Sequence, residues 1–592
     1  MVVALDVPDA VAVRPETGRA NFAGPEALLQ IPALTGLRFF AAFFILFAHA
    51  FDWLAQFTDS NIKEKFAVTA MYGMPLFFVL SGFVIHYNYG RLFMSRRIAR
   101  ATCEFAAARF ARLFPLYVFL LLMASLADNF VNRIYNVWDR ALEILAYDLT
   151  LTQSWWYIII EKQSIIYWLF PISWSISTEM FFYVAYVVTV FIILSLRGPG
   201  TAMLAAIAFA IGATLMFIVS RHYLSELLNL SQRVVPNYID MAAGFEHSFY
   251  RWLFYFSPYA RVLEFFMGCL AAQAFILLRS RVVSAYEQQF ANFILILALG
   301  SLMLFGALYL DAIHFETMNL YVHHLALNFL CAPAIAFIMF YAGRYDTWFT
   351  QSLSSPVLLG LGDTSYSIYL LHTWTLRIFT RPAPELNLIW GIDAVLRVLF
   401  GIIFTLLAAY ATYHLIEVPS RVWLRRKLGR AIAAGFGSEH SSVASDRPST
   451  PRARVIFSST AISSLVLIVV AGQAAQSDVL WGMVHRLWFG NRTEIEIVSA
   501  TYGLNCKGFP VPAPFPNLAM PGNVTKPVER ACNSRENCIF SVDVSRIGDP
   551  ANGCGKDFSV EYRCTGSETL KLAFIPPEAD GKSLILDCAV AK

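Results

Sequence analysis

Three stretches of the chain, residues 198–220, 288–310 and 455–477, contain no charged side chain at all. At about 1.5 Å per residue, each is long enough to cross the ~30 Å hydrocarbon core of a bilayer as an α-helix. Composition agrees: of 592 residues, 57% are hydrophobic and only 15% charged, where an average soluble domain carries about 25% charged residues. So few charges cannot cover several soluble domains. They exclude a soluble multidomain enzyme, a disordered scaffold and a nucleic-acid binder with a basic surface. An all-α polytopic membrane bundle remains, with some soluble mass attached. Aromatics at 15%, 50 of them Phe residues among Trp and Tyr, suit spans in lipid and their interfacial belts.

Long apolar runs predict eleven spans: 32–53, 67–87, 109–127, 174–196, 201–220, 258–278, 290–310, 322–342, 360–379, 396–416 and 455–476. Trp155, Trp156 and Trp168 in the long 3–4 connection suggest pieces that lie in the interface or dip back into it. Lys and Arg in the loops set the orientation. Arg91, Arg96, Arg97, Arg100, Arg109 and Arg112 face a single Glu104 between spans two and three. Arg279 and Arg281 follow span six, and Arg421, Arg425, Arg426, Lys427 and Arg430 follow span ten. All are even-to-odd connections, which makes that side cytoplasmic. The N-terminal segment 1–30 is then cytoplasmic, without an apolar core of a cleavable signal, and an odd span count puts the C-terminus outside. Residues 426–454, rich in Ser, Arg and Gly, read as a cytoplasmic linker to the eleventh span.

The cysteines support this orientation independently. Six of nine (Cys506, Cys532, Cys538, Cys554, Cys564 and Cys588) crowd the polar tail. An even, dense set in a small domain reads as a disulfide framework, which needs an oxidising compartment. The Cys532–Cys538 spacing is too wide for a zinc knuckle, so no metal is expected. Six cysteines allow 15 pairings, and spacing does not choose among them.

Ionisable residues inside spans are costly, so each is a candidate for function as well as for packing. Arg38 and His49 share helix one, eleven residues apart. At 100° per residue this is within about 20° of three full turns, so both lie on one face, ~16 Å apart. Asp52 follows one turn beyond His49, where it could orient the ring. Glu179, Arg261, Glu264 and His372 fall near the outward ends of their helices, which gathers them with His49 in the outer half of the bundle. The bland alternative is a set of interhelical ion pairs.

Seven segments carry a resemblance. They are "LTGLRFFAAFFILFAHA" (34–50), "GMPLFFVLSGFVI" (73–85), "RFARLFPLY" (109–117), "WSISTEMFFY" (174–183), "RVLEFFMGCLAA" (261–272), "GDTSYSIYLLH" (362–372) and "HLIEVPSR" (414–421). In this order they resemble the acyltransferase 3 family of integral-membrane O-acyltransferases over residues 31–425. The resemblance implies a ten-helix core and transfer of an acyl group, usually acetyl, from cytoplasmic acyl-CoA to a hydroxyl of a glycan on the far side. The family's Arg-x10-His motif corresponds to Arg38 and His49. Its R-x-x-R motif best matches Arg109 and Arg112, with Arg97 and Arg100 a second candidate pair, and its fourth-helix glutamate matches Glu179. Trp174, Arg261, Glu264 and Tyr366 lie in matched motifs and are candidates for substrate contact; His372 joins the catalytic candidates.

Chemistry fits these roles. Guanidinium forks bind the phosphates of CoA in bidentate fashion. A neutral imidazole is suited to take a proton from a sugar hydroxyl near pH 7. Whether His49 acts as base or carries the acyl group covalently stays open. Ser81 and Ser175 lack a nucleophile-elbow context and read as packing.

The tail, residues 490–592, alternates at period two in "EIEIVSATYG", "CIFSVDV", "FSVEYRC" and "LKLAFI", which predicts a small β-rich domain. It resembles the galactose/rhamnose-binding lectins of the sea-urchin-egg type through "ATYG", "CNSRENCIFSVDV", "GDP" and "GKDFSVEYRC". The resemblance implies carbohydrate contacts from Tyr502, Glu496, Asp549 and Lys556. Leu504 and Ala551 stand where that family has Arg and Cys. The expected partners are thus acyl-CoA, a glycan and the lipid bilayer, in a bacterial inner membrane, with no nucleic acid; homo-oligomerisation stays open. Two rivals remain: a transporter or flippase for an acylated or glycosylated substrate, and a sugar receptor whose membrane part is scaffold.

Overall fold

A computed structural model describes residues 31–54, 61–125, 138–312, 324–325, 328–380, 392–436, 495–506, 522–533, 535, 537–548, 554–564 and 569–588. These fall into two compact units, a helical bundle and a C-terminal unit.

The bundle opens with α1 (Pro32–Leu54), α2 (Asn61–Ser95) and α3 (Ile98–Ser125). Pro32 sits in the first turn of α1, where its missing N–H costs nothing. Six residues link α1 to α2 and reach at most ~20 Å. Two long helices that pack side by side over such a link must run antiparallel. After α4 (Ala141–Thr150) a hairpin of β1 (Ile159–Ile160) and β2 (Gln163–Ser164) turns on Glu161 and Lys162, both left-handed. Such a turn matches the twist of its strands. Then come α5 (Trp174–Leu194), α6 (Pro199–His222), α7 (Leu224–Val234), α8 (Pro258–Leu278), α9 (Ala285–Ala312), α10 (Ala332–Arg344), α11 (Trp348–Leu353), α12 (Pro356–Asp363), α13 (Ser365–Thr380), α14 (Ile392–Thr412) and α15 (Val418–Phe436). A π-helical turn, Tyr413–Glu417, joins the last two into one rod.

Eight helices among the described residues are long and apolar enough to cross a membrane, where the sequence predicts eleven spans. The difference has local causes. The predicted span 322–342 is interrupted at 328–330 by a turn in which Phe329 takes φ 53, so only the shorter α10 follows. The span predicted at 360–379 is divided at Thr364 into α12 and α13. Residues 426–436, expected to begin the linker, continue α15 as helix. The eleventh predicted span, 455–476, lies outside the described residues.

Glycines set the closest crossings. A Cβ on Gly82 of α2 would collide with the carbonyl oxygen of Phe265 on α8, and one on Gly268 of α8 with that of Val79 on α2. The two backbones therefore touch where each helix lacks a side chain, as small residues allow in lipid. Gly36 and Gly362 serve α1 in the same way, against Leu353 and Thr35.

The segment 151–173 folds back over the helix starts, as its tryptophans suggest. Trp155 Nε1 donates to the Ser177 carbonyl at 2.9 Å, Trp168 is buried and Trp156 stays exposed. Phe170 stacks between Tyr117 of α3 and Trp374 of α13, with ring centroids 6.3 and 5.2 Å apart.

In the C-terminal unit β3 (Ile495–Tyr502), β5 (Phe558–Cys564) and β6 (Leu570–Ile575) form an antiparallel sheet in the order β3-β5-β6. β4 (Asn537–Ser541) pairs with β7 (Ser583–Asp587), and α16 (Thr525–Cys532) packs on β3 and β4. Ile495 and Ile497 point inward, then Ala500 and Tyr502 do. A bulge at Val498 inserts the extra residue that this change of phase requires. The disulfides are Cys506–Cys554, Cys532–Cys538 and Cys564–Cys588, one of the fifteen pairings left open.

Candidate active site

α1 is one unbroken helix, so Arg38 and His49 do share a face, about three turns or ~16 Å apart. Each marks a different polar cluster.

At the His49 end, the His49 and His372 rings lie 4.9 Å apart between centroids. His49 Nδ1 donates to the Ile45 carbonyl at 2.9 Å and His372 Nδ1 to the Tyr369 carbonyl at 2.6 Å. A carbonyl only accepts, so both Nδ1 atoms carry hydrogen and both Nε2 atoms are the basic nitrogens. His49 is exposed, while His372 is fully buried. Tyr369 is held by its hydroxyl, against Ser175 Oγ at 2.7 Å and the Ile172 carbonyl at 2.8 Å. Asp52 belongs to α1, but its side chain lies outside the described residues, as does Asp549 of the tail.

At the Arg38 end, Arg109, Arg112, Arg421 and Asp363 all lie within electrostatic reach of Arg38. Arg109 Nη2 donates to the Tyr89 hydroxyl at 2.7 Å and lies over the Tyr89 ring at 4.7 Å. Glu179 accepts from Ser81 at 2.9 Å and Tyr183 at 2.7 Å, and also faces Arg109. Glu417, in the π-helical turn, accepts from Ser367 at 2.8 Å and faces Arg112, Arg421 and Arg38. The Tyr366 hydroxyl donates to the Leu113 carbonyl at 2.8 Å, beside Arg112. The cluster thus holds four guanidinium groups against three carboxylates and carries a net positive charge. Arg97 and Arg100 flank the α2–α3 break instead: Arg97 is exposed, and Arg100 Nε pairs with Glu104 at 2.9 Å.

The expected gathering of charges around His49 is only partly formed. Gly73 of α2 packs against Ala41 and Ile45 of α1, and Ser81 stands eight residues, ~12 Å, further along α2. Glu179, bonded to Ser81, therefore lies near the depth of Arg38. Arg261 and Glu264 pair with each other at 3.3 Å, with Arg261 over the Phe78 and Tyr255 rings at 5.2 and 5.7 Å. The folded-back segment 151–173 packs on the first turn of α5, and near the start of α8 Arg261 and Glu264 are already fully buried. Ser154 reaches Ser177 at 2.8 Å, and the Phe256 carbonyl accepts from Thr178 at 3.1 Å. Trp174 packs on Phe78, Tyr255 and Phe256.

Ser175, Glu179 and Tyr183 are spaced four apart on one face of α5, so Tyr369, Ser175, Glu179, Tyr183 and Arg109 form a polar seam between the clusters. Ser81 and Ser175, read from sequence as packing, thus hold Glu179 and Tyr369. Glu417, Arg421, Tyr89 and Tyr183 join the site without being singled out by the sequence, although all but Tyr89 stand in quoted motifs; for Glu417 and Arg421 the available signal is a charge beside a span end.

The family model for the acyltransferase domain of acyltransferase 3 proteins matches residues 31–414. The chain belongs to this family. It is 27% identical to "Acyltransferase MdmB" of Streptomyces mycarofaciens over 367 residues, covering 60% of this chain and 81% of that protein. It is 39% identical over 98 residues to "Protein 2 in picA locus" of Rhizobium radiobacter, covering 17% of this chain and 44% of the other. No solved structure matches. The protein is an integral-membrane O-acyltransferase, and its two polar clusters lie inside the matched domain but for Arg421 and Glu417 just beyond it.

In the C-terminal unit Tyr502 is buried, and Lys556 Nζ stands 5.9 Å from its ring. Glu496 pairs on the surface with Arg563 at 3.5 Å. Six residues along β3 separate Glu496 from Tyr502, ~20 Å, so these two do not converge. Among the described residues no group of His, Cys, Asp and Glu is arranged to hold a metal.

Proposed function

We propose that the enzyme takes an acyl group, acetyl in the simplest case, from cytoplasmic acyl-CoA and transfers it to a hydroxyl of a glycan on the opposite side of the membrane. The observation that carries this is the polar axis of α1, with a net-positive arginine cluster at Arg38 and a histidine pair ~16 Å away on the same face. Arg38, Arg109 and Arg112 are suited to the phosphates of CoA, and the acylated pantetheine arm follows the seam toward His49. His49 Nε2 removes the acceptor hydroxyl proton as the oxygen attacks the thioester carbonyl; the C–S bond breaks and the thiolate takes up the proton.

The arginine-rich connections favour a cytoplasmic Arg38 end and an inner bacterial membrane. The C-terminal unit, with its disulfides, then stands on the outer side, where sugar binding in the neighbourhood of Tyr502 and Lys556 would raise the local concentration of acceptor. Trp174, Tyr366 and the Arg261–Glu264 pair line the path.

Proteoliposomes given radiolabelled acetyl-CoA on one side and an oligosaccharide mixture on the other test the reading. Label should move to the sugars and should be lost in His49→Ala. A His49→Ala protein that acetylates at the full rate overturns the role of His49. Sugar that crosses without acquiring label would favour a transporter, the reading suggested by the interrupted helix at 328–330 beside Glu264.

A further inference from the structure

Glu179 and Arg109 lie within electrostatic reach of each other across the seam, yet among the described residues they do not close into an ion pair. Each is held from its own side. Ser81 and Tyr183 both donate to Glu179 Oε1, at 2.9 and 2.7 Å, and Oε2 takes no hydrogen bond among the described residues. Arg109 is tied through Nη2 to the Tyr89 hydroxyl at 2.7 Å, and its buried Nε has no partner among them. Tyr183 stands beside both: its hydroxyl is on Glu179, and its ring lies 6.0 Å from the Arg109 guanidinium. Opposite charges inside a membrane bundle stabilise each other by closing to contact. Two that are held apart leave an unspent acceptor and an unspent donor, and a secondary amide complements both. We propose that Glu179 and Arg109 bind one amide of the pantetheine arm, its N–H donating to Glu179 Oε2 and its carbonyl accepting from Arg109.

This rests on the reading of acyl-CoA as donor and adds which part of it the seam recognises. The arm carries two amides. Glu179 lies near the depth of Arg38, so the amide bound is the one nearer the phosphates, and the amide beside the sulfur lies further along toward His49. A sugar hydroxyl also gives and takes a hydrogen bond, but the acceptor meets the chain at the other end of α1, ~16 Å away. Ser81 and Tyr183 are positioning residues here. With Oε1 engaged twice, the carboxylate is kept from turning onto Arg109, and Oε2 stays available to the donor.

The test uses the full chain in proteoliposomes with the oligosaccharide mixture, and reads initial rates of thiol release. The donors are acetyl-CoA and two analogues, each with one pantetheine amide replaced by an ester, which removes the N–H and keeps the carbonyl. For the wild type, the ester nearer the phosphates should raise KM by about tenfold, the worth of one hydrogen bond to a charged group. The ester beside the sulfur should change it by less than about twofold. In Glu179→Gln the acceptor is neutral, and the ratio between acetyl-CoA and the phosphate-side ester should shrink to about threefold. Tyr183→Phe leaves the carboxylate on Ser81 alone and should give a ratio between the two; it carries the test if the Gln variant does not fold. A merely structural role would weaken all three donors alike and leave the ratio at its wild-type value. That result in the variant, equal KM for acetyl-CoA and the phosphate-side ester in the wild type, or a larger effect from the sulfur-side ester overturns the amide site. Failure of the wild type to release thiol from acetyl-CoA would instead overturn the reading of the donor, so the two failures are distinguishable.

Discussion

Arg109 is held by two aromatic rings and one hydroxyl, an arrangement that a guanidinium fits and an ammonium does not. Arg109→Lys keeps the charge and loses the fork. Its KM for acetyl-CoA should rise by about tenfold, equal to ~1.4 kcal/mol, with kcat less affected. An unchanged KM in initial-rate assays would remove Arg109 from the donor site. Asp148 poses a different question. It is buried at the end of α4, and neither its Oδ2 nor the Oε1 of buried Gln153 has a partner among the described residues. Ser173 lies between them, 3.5 Å from Asp148 Oδ1 and 2.9 Å from Gln153 Nε2. Burial pushes the Asp148 carboxyl well above the usual carboxylate range. The folded state then keeps a proton that the unfolded chain releases above pH ~4. Stability therefore falls as pH rises from the unfolded value to the folded one, and levels off beyond it. Asp148→Asn should flatten that slope and raise the melting temperature at neutral pH, read by thermal unfolding in detergent. None of this was legible in the sequence, because a carboxyl in a polar connection gives no sign that the connection folds inward. Arg38 and His49 were legible because one helix fixes their spacing. Glu179 was assigned to the wrong depth, since its depth depends on what covers its helix start.

Helices bear out the same distinction. Hydropathy found α1, α5, α6 and α8 to within two residues at each end, because a long apolar run in lipid has only one way to satisfy its backbone. It missed the breaks at 328–330 and at Thr364, where the residues stay apolar enough while the backbone turns. The period-two pattern of the tail predicts β3, β4, β5 and β6 but neither β7 nor the bulge in β3. Crossings are another feature that hydropathy does not record. The α2–α8 contact depends on Gly82 and Gly268, each directly against a carbonyl of the other helix. Gly82→Ala and Gly268→Ala should each destabilise the bundle by ~1–3 kcal/mol, as overpacking does. Gly300→Ala on α9, where a Cβ meets nothing within 4 Å, should leave the unfolding temperature unchanged. Equal effects at all three positions would show that the crossing does not decide stability.

For the molecule as a whole, the decisive question is whether the two ends of α1 face different compartments, because transfer across a membrane requires it. Two kinds of cysteine can report this without altering the chain. Cys103 is a free thiol near the start of α3, exposed and close in sequence to Arg100 and Arg109. The six tail cysteines are paired and give no thiol until reduced. If arginine-rich connections face the cytoplasm and the disulfides need an oxidising compartment, the two sets lie on opposite sides. A membrane-impermeant maleimide should label Cys103 in inverted vesicles only. In right-side-out vesicles it should label tail cysteines, and these only after reduction by an impermeant phosphine. Cys269 and Cys331 are buried in the bundle and should stay silent in both. Labelling of Cys103 and the reduced tail from one side would mean an even number of crossings between them. The C-terminal unit would then face the donor's compartment, and its disulfides would lend no support to an acceptor on the opposite side.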